Sequence, residues 1–527
     1  MVAIYKLISA VHFEKPKKLG HLGYNMSVRL FFSLVLCACF SSLVTALYID
    51  GCPMYGCRPS GSFSFYSKVP GASASINWVS NFRYTPVPQP YGCVSNSGHV
   101  VCQYNNVFNE DQGYISVNVT DGTIRWQDRV LRHPSLPLLD EYGDVTGSDG
   151  TTLVHYGEDG QKFPDIPCSN LTPLLNMALV GDAVQYLLLV STNGNIVVRQ
   201  TNGIPLGSLT LNATLDGVPG AFLPVSQPVI YEARFYILTR FHSSSTPASG
   251  SNVTFRVYAI DVMTDISDRI KVGWYISVGE TKGMSPSDTL TDPQALLFDR
   301  GSKLVYVALK SQGELYGILD MGNKANIQFV RKTQVVHMSK FVKDHCGLQK
   351  HDRKQELCQD TTDDVPSYLW VVTSPSTIAG VSANGSVVVN YDLQKLLKTS
   401  VNISSMLSTT KYENTENDTL IFAITAEQLK QSNITFNARF DDIEVDASIQ
   451  MTMPRDSADN IVSYVVALDT GKQAGSSEFV RWTVGVPQNL VVRGQITATS
   501  VSGQTDDDML VAYAELPGKS AAILTIH

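Results

Sequence analysis

One phrase recurs along this chain and limits what it can become. It is a short apolar strand, a tight turn on Asp or Gly, and a second strand closing on a large aromatic. The clearest copy is 463–484, SYVVALDTGKQAGSSEFVRWTV. Tyr464, Val465, Val466, Ala467 and Leu468 form a continuous apolar run, the composition of a strand buried on both faces. Asp469 and Gly471 break it, Asp by bonding its own backbone and Gly by accepting a positive φ. Trp482 anchors the second strand. A lone hairpin cannot bury two such faces in water, so copies must stack on one another.

Further copies are visible. Residues 115–126 turn at Asp121-Gly122 and close on Trp126; residues 257–274 carry Asp261 and close on Trp274. Residues 315–329 turn at Asp320-Met321-Gly322, and Gly518 near the end of the chain echoes Gly471. Looser copies lie around Gly203, around Gly160 and at 387–393. The pattern resembles the tryptophan-docked repeats of the quinoprotein-like β-propellers, the fold of the pyrroloquinoline-quinone alcohol dehydrogenases. Their blades close on a phrase like A-x-D-x-x-T-G-x-x-x-W, matched best here by Ala467, Asp469, Gly471 and Trp482 across a longer gap. The resemblance implies an all-β chain, a β-propeller of four-stranded blades over 75–527. Turn positions Gly122, Gly160, Gly203, Asp265, Gly322, Asp392, Gly471 and Gly518 count to eight blades, with seven as the alternative. The competing arrangement is a β-sandwich of unrelated hairpins.

Within that frame, 75–126 reads as a first blade beginning with SINWVSNF, and 128–152 reads as a loop. Residues 47–74, rich in Cys, Gly, Pro and Ser, form an arm leading into the propeller or a strand completing the last blade. Asn193-Gly194 between apolar runs is a strong hairpin signal. Residues 394–400 and 427–432 are the only helix-like patches, and 425–460 reads as a polar insertion in the seventh blade.

The apolar segment 30–46, preceded by Arg29 and ending Val44-Thr45-Ala46, reads as a secretory signal cleaved after Ala46. Residues 1–25 are an extension before it, and Met26 is an alternative start. The rival is an uncleaved type II signal anchor, for which the run is short. No later stretch is apolar enough to span a membrane. Losing residues 1–46 removes Lys6, Lys15, Lys17, Lys18 and Arg29 against Glu14, taking the formal net charge from −8 to −12. That argues against nucleic acid as a partner.

Seven cysteines remain after the signal. Neighbour pairing gives Cys52–Cys57, Cys93–Cys102 and Cys346–Cys358, leaving Cys168 buried or joined to another chain. Sequons begin at Asn118, Asn170, Asn212, Asn252, Asn384, Asn402, Asn417 and Asn433, which fits an extracellular or lumenal glycoprotein.

The chemistry implied by the resemblance is missing. The quinoprotein enzymes use a bound quinone, a calcium, an Asp base and often a vicinal disulfide; no two mature cysteines are adjacent, and no residue here maps to the base. Nucleophile-elbow, zincin and dinucleotide motifs are absent as well. His345, Cys346, His351 and Cys358 match no zinc-finger spacing, and a Cys346–Cys358 disulfide accounts for them better. The acidic clusters Asp140, Glu141, Asp144 and Asp149, then Asp441, Asp442, Glu444 and Asp446, then Asp506–Asp508 read as solvated loops, with calcium as the one cation they could take. No cofactor is expected. The sequence therefore favours a secreted binding module for a protein or glycan over a quinoprotein-type oxidoreductase or hydrolase with a central-channel site.

Overall fold

The computed structural model describes residues 51–65, 74–82, 92–96, 99–106, 111–132, 134–140, 143–150, 152–168, 174–180, 186–200, 203–243, 253–263, 270–281, 295–342, 367–397, 400–411, 417–426, 434–440, 443–449, 463–472, 474, 476, 479–487, 489–500, 508–516 and 520–527. Apolar and β-branched runs such as Tyr186–Ser191, Leu304–Leu309 and Ser463–Asp469 form strands buried along their whole length. They assemble into eight antiparallel blades, each a meander numbered here from its inner strand outward.

Blade 1 is Cys93–Asn96, His99–Asn106, Asp111–Asn118 and Ile124–Asp128. Blade 2 is Leu138–Leu139, Val145–Ser148, Thr152–Tyr156 and Ile166–Pro167, so strands stand where the sequence reads a loop over 128–152. Blade 3 runs from Leu174–Val180 to Pro205–Thr210, with Asn193-Gly194 joining its second and third strands. Blade 4 runs from Val229–Tyr231 to Ile270–Thr281 and carries an extra hairpin, Asn212–Leu215 with Val218–Pro224, on its second strand. Blade 5 spans Leu296–Asp299 to Ala325–Lys332, and blade 6 His337–Ser339 to Val387–Asp392. Blade 7 is Ser408–Lys411, Asp418–Ala426, Ser463–Asp469 and Val480–Val486. The one helix among the described residues, Leu393–Leu397, joins blades 6 and 7; residues 427–432 lie outside the described residues.

Blade 8 corrects the sequence reading. Its first three strands are Val491–Ser500, Asp508–Leu516 and Ser520–Ile526, and its outer strand is Ile76–Phe82 from the other end of the chain. SINWVSNF closes the last blade rather than opening the first. Ser75 and His527 exchange two 2.9 Å backbone hydrogen bonds where the ends meet. The ring is thus shut by pairing rather than by covalent chain, and Gly518, outside the described residues, falls in sequence between second and third strands. In blade 6 the turn between third and fourth strands is at Gly385, and Asp392 ends the outer strand. Asp265 lies outside the described residues.

Between blades the packing is apolar and continuous. One cluster joins Leu138 and Leu153 to Met177, Leu188 and Ile237 across blades 2, 3 and 4; another joins Val511 and Ile523 to Val100 and Ile115 across the closure. Outer-strand aromatics seal these interfaces. Trp78 of blade 8 lies over the blade 1 turn, where a Cβ on Gly122 would come within 2.4 Å of the indole, and its Nε1 donates to the Val119 carbonyl at 2.6 Å. Trp126 sits in the same way over Gly160 of blade 2, at 2.5 Å, and donates to the Glu158 carbonyl. Glycine is therefore required there twice over, for a positive φ and for the neighbour's ring.

Blades 4 and 5 use a charged version. Asp320 accepts from Trp274 Nε1 at 3.0 Å, Tyr236 Oη at 2.5 Å, Gly322 N at 2.7 Å and Arg234 Nη1 at 2.9 Å, while Arg234 Nε bonds Asp261 at 2.6 Å. Burial alone would raise this carboxyl, but those donors hold it below the usual carboxylate range. Replacing Asp320 with Ala strips an acceptor from a half-buried guanidinium, a buried indole and a buried phenol. The expected loss is about 3–5 kcal/mol in denaturant unfolding, and a loss under about 1 kcal/mol would contradict this assignment.

Candidate functional site

In a propeller the inner strands surround an axial channel, with one unpaired edge of each facing it. Here that space holds residues 51–65. The arm goes round the wall in blade order, its carbonyls accepting from N–H groups in or beside the inner strands. Cys52 accepts from Ser95 of blade 1 and Pro53 from Leu139 of blade 2, both at 2.8 Å. Pro59 accepts from Ile230 of blade 4 at 2.7 Å, and Ser60 from Phe298 of blade 5 at 2.9 Å. Ser62 accepts from Lys340 of blade 6 and Phe63 from Thr409 of blade 7, both at 3.0 Å. Gly56 N donates to Gln495 Oε1 of blade 8 at 2.9 Å, and Met54 packs in the cluster containing Met177 of blade 3. Ser64–Phe65 then pairs in parallel with the blade 7 inner strand.

Side chains complete the seal. Met54, Tyr55, Phe63 and Phe65 are each at most 4% exposed. Tyr55 and Phe63 meet edge to face at 5.1 Å, and Tyr55 Oη reaches Met406 Sδ at 3.2 Å. The Cys52–Cys57 disulfide closes the tip of the arm. Phe63 holds φ +51°, an outlier for a bulky residue, fixed by its carbonyl's bonds to Thr409 N and to Ser339 Oγ at 3.1 Å. Both ends of the arm lie on one face of the ring. Gly51 adjoins Ser95 and Asn96, where the blade 1 inner strand ends, and Phe65 pairs with Thr410, near the corresponding end of blade 7. Connections from first to second and third to fourth strands lie on that face; second-to-third and interblade connections lie on the other.

Polar groups near the wall pair with one another. Lys340 Nζ stands 3.4 Å from Asp299 Oδ2 and donates to the Ser367 carbonyl. Burial raises the Asp418 carboxyl although Trp370 Nε1 donates to it at 2.9 Å. His99 Nε2 is 2.5 Å from Ser116 Oγ, and both residues are at most 1% exposed. Sequence reasoning called the arm but missed its course along the inner strands, and it missed this pair and the roles of Arg234 and Tyr236. The only signal for the last two is a polar pair two residues apart in the apolar strand Arg234–Ser243.

The remaining expected positions are distributed rather than gathered. Cys93–Cys102 is bonded across the first two strands of blade 1, and Cys168 is buried without a disulfide, its thiol pushed up by burial. Asp121 Oδ1 caps Thr123, and Asp469 accepts from Gly471 N and from Arg481 Nη2 at 2.8 Å. Trp482 packs at the blade 7–8 interface, its Nε1 without a partner among the described residues, beside the blade whose third and fourth strands share no turn. Asp140 and Asp149 accept backbone N–H groups of their own turns, and Asp144 accepts from Glu158 N. Among the described residues no three His, Cys, Asp or Glu converge as metal ligands. Asn212, Asn384, Asn402 and Asn417 are exposed and Asn118 is half-buried. Asn170, Asn252, Asn433, His345, Cys346, His351, Cys358, Glu141, Asp441, Asp442, Asp506 and Asp507 lie outside the described residues. No described helix is long and apolar enough to cross a membrane.

No family model and no curated sequence matches the chain significantly. Among solved structures it is similar to BamB from Moraxella catarrhalis, at 12% identity over 85% of this chain and 99% of that one, TM-score 0.44. A europium-containing methanol dehydrogenase matches at 7% identity over 90% and 98%, TM-score 0.36. BBS1N in complex with ARL6DN matches at 11% identity over 67% and 94%, TM-score 0.37. These likenesses are too distant to carry a family or an activity to this chain.

Two outcomes are expected. Phe63→Ala empties the centre of the arm and lowers stability by about 3–5 kcal/mol, read as the midpoint of urea unfolding; an unchanged midpoint would show the arm to be dispensable. The second concerns acid. Burial, aided by the Arg125 charge and opposed by Glu158, lowers His99 to about 4, and burial with Lys310 lowers His337 to about 3. Their stabilisation is complete above the unfolded histidine pKa near 6.5 and is lost as pH falls toward those values, up to about 3 kcal/mol for His99. Asp418 and Glu515, raised by burial, tilt the other way. The melting-temperature gap between the parent and His99→Gln should therefore narrow from pH 7 to 4.5, and a constant gap would refute the assignment.

Proposed function

We propose that this chain is a secreted, glycosylated propeller of the quinoprotein-like kind that acts as a non-enzymatic binding module for a protein or glycan. The observation that carries this reading is the occupied axis. The space where a propeller enzyme would assemble cofactor, cation and base is filled by residues 51–65, anchored to the wall by hydrogen bonds. The Ser116–His99 pair is sealed within the blades. The tryptophan docking over Gly122 and Gly160 supports the quinoprotein-like kinship. Two disulfides, four exposed sequons and the apolar segment ending at Ala46 support passage through an oxidising secretory route.

The competing reading, an oxidoreductase or hydrolase working in the channel, requires the arm to leave. Expression in a eukaryotic secretory host separates the two. The expected product is found in the medium, begins at Leu47, gains mobility when N-glycans are removed, and is colourless with less than stoichiometric metal. A cofactor absorption band that survives gel filtration, with turnover of an alcohol or ester abolished by one carboxylate substitution, would overturn the proposal.

A further inference from the structure

In blade 4 a guanidinium packs against two aromatic rings without an anion beside it. Arg256 lies in the third strand, Val253–Val262. Its Cζ stands 4.3 Å from the centre of the Phe222 ring, on the extra hairpin, and 4.6 Å from the centre of the Tyr275 ring, on the outer strand. Strand pairing explains the meeting. Tyr258 pairs with Tyr275, Arg256 with Ser277, and Thr239 of the second strand with Arg256, so these residues share one side of the blade. Phe222, Ile237 and Tyr258 belong to the cluster shared with blade 3, which turns that side toward blade 3. Arg256 follows the second-to-third connection closely, which sets it toward the face opposite the arm's ends.

Other half-buried guanidiniums here meet carboxylates. Arg234 pairs with Asp261 and Asp320, and Arg481 with Asp469. Arg256 is half-buried, its Nε is buried without a hydrogen-bond partner, and the polar group beside it is the Tyr258 phenol. No described carboxylate pairs with it. Drawing a cation out of water costs free energy, and contact with ring faces returns roughly 0.5–2 kcal/mol of it. The rings act through their faces and leave the in-plane N–H donors of the fork to be satisfied. A carboxylate offers two acceptors in that plane.

The surroundings select the kind of carboxylate. Tyr275 is 56% exposed, a flat apolar platform against the guanidinium, and Ser277 opposite Arg256 is exposed as well. An acidic side chain on an extended peptide would need a regular strand edge to pair with. The outer strand Ile270–Thr281 does not offer one. Register shifts between Phe255 and Arg256 and between Ala259 and Ile260 leave Val278 and Gly273 out of the ladder, so only Trp274–Ser277 runs regularly between two bulges. A sugar acid needs no strand edge. Its carboxylate meets the guanidinium, its C–H face lies on the exposed ring, and its hydroxyls have Ser277 and water as partners.

We propose that Arg256 and Tyr275 bind a carboxylate-bearing sugar of the uronic or sialic acid class. This rests on the binding-module reading and narrows its ligand to an acidic glycan. The test uses the full chain, made in a secretory host that adds no sialic acid, so that its own N-glycans do not compete. The methyl α-glycoside of N-acetylneuraminic acid and methyl β-glucuronide are titrated by calorimetry, each beside its uncharged carboxamide. Acetate and an acetylated Glu-Gly-Glu peptide are the controls. At least one sugar acid should bind about ten-fold or more tighter than its carboxamide and than either control. Arg256→Lys keeps the charge but loses the fork and should weaken binding about ten-fold; Tyr275→Ala should weaken it about five-fold. The carboxamide comparison is made on the unaltered chain and does not depend on either variant folding. Equal affinity for acid and carboxamide, equal affinity for acetate, or a preference for the peptide would overturn the proposal. So would full affinity in Tyr275→Ala, or the absence of binding by both sugar acids. The binding-module reading, tested by cofactor and turnover, stands or falls separately.

Discussion

The ring of inner edges facing the axis is the constraint on which the structure rests. A four-stranded blade satisfies its own backbone internally, but the innermost strand always has one edge left over. Eight blades multiply that deficit around a single channel. Water can meet it in a wide, open channel, at the expense of burying nothing there. This chain meets it with its own backbone, and the arm's carbonyls face six wall N–H groups in the order in which the blades follow one another. The correspondence between arm order and blade order explains why Phe63 tolerates a positive φ: the wall dictates the path and the arm conforms.

Closure follows the same economy of contact. No blade is stable alone, because its middle strands are apolar on both faces, so every interface must be sealed, including the one where the chain begins and ends. Borrowing Ile76–Phe82 for the outer strand of blade 8 brings Trp78 to Gly122 as Trp126 is brought to Gly160. The closing interface is thereby made equivalent to a covalent one. Trp482 marks the limit of that equivalence. It packs against the blade that lacks a third-to-fourth turn, and its Nε1 has no acceptor among the described residues.

Local chemistry was legible in the sequence and long-range pairing was not. Asp121-Gly122, Asp320-Met321-Gly322 and Asn193-Gly194 announce turns because each makes its turn by itself. Residues 51–65 read as loop because Cys, Gly, Pro and Ser suit irregular backbone. Their partners, such as Gln495 for Gly56, are up to 439 residues away. SINWVSNF has the composition of a strand, but β-propensity does not say which sheet a strand joins. Asp392 imitated a turn because an Asp that ends a strand looks the same in sequence whichever strand of the blade it ends.

Filling the axis has a consequence for where function can lie. A propeller with an open channel can act at its centre; one whose centre is packed by Met54, Tyr55, Phe63 and Phe65 offers only its faces and rim. The two faces are not equivalent here. One carries the ends of the arm and the meeting of Ser75 with His527, which tie the molecule together. The other carries the interblade connections, the helix Leu393–Leu397 and the blade 7 insertion, none of which is needed to close the ring. Elements free of the closure can vary without unfolding the disc.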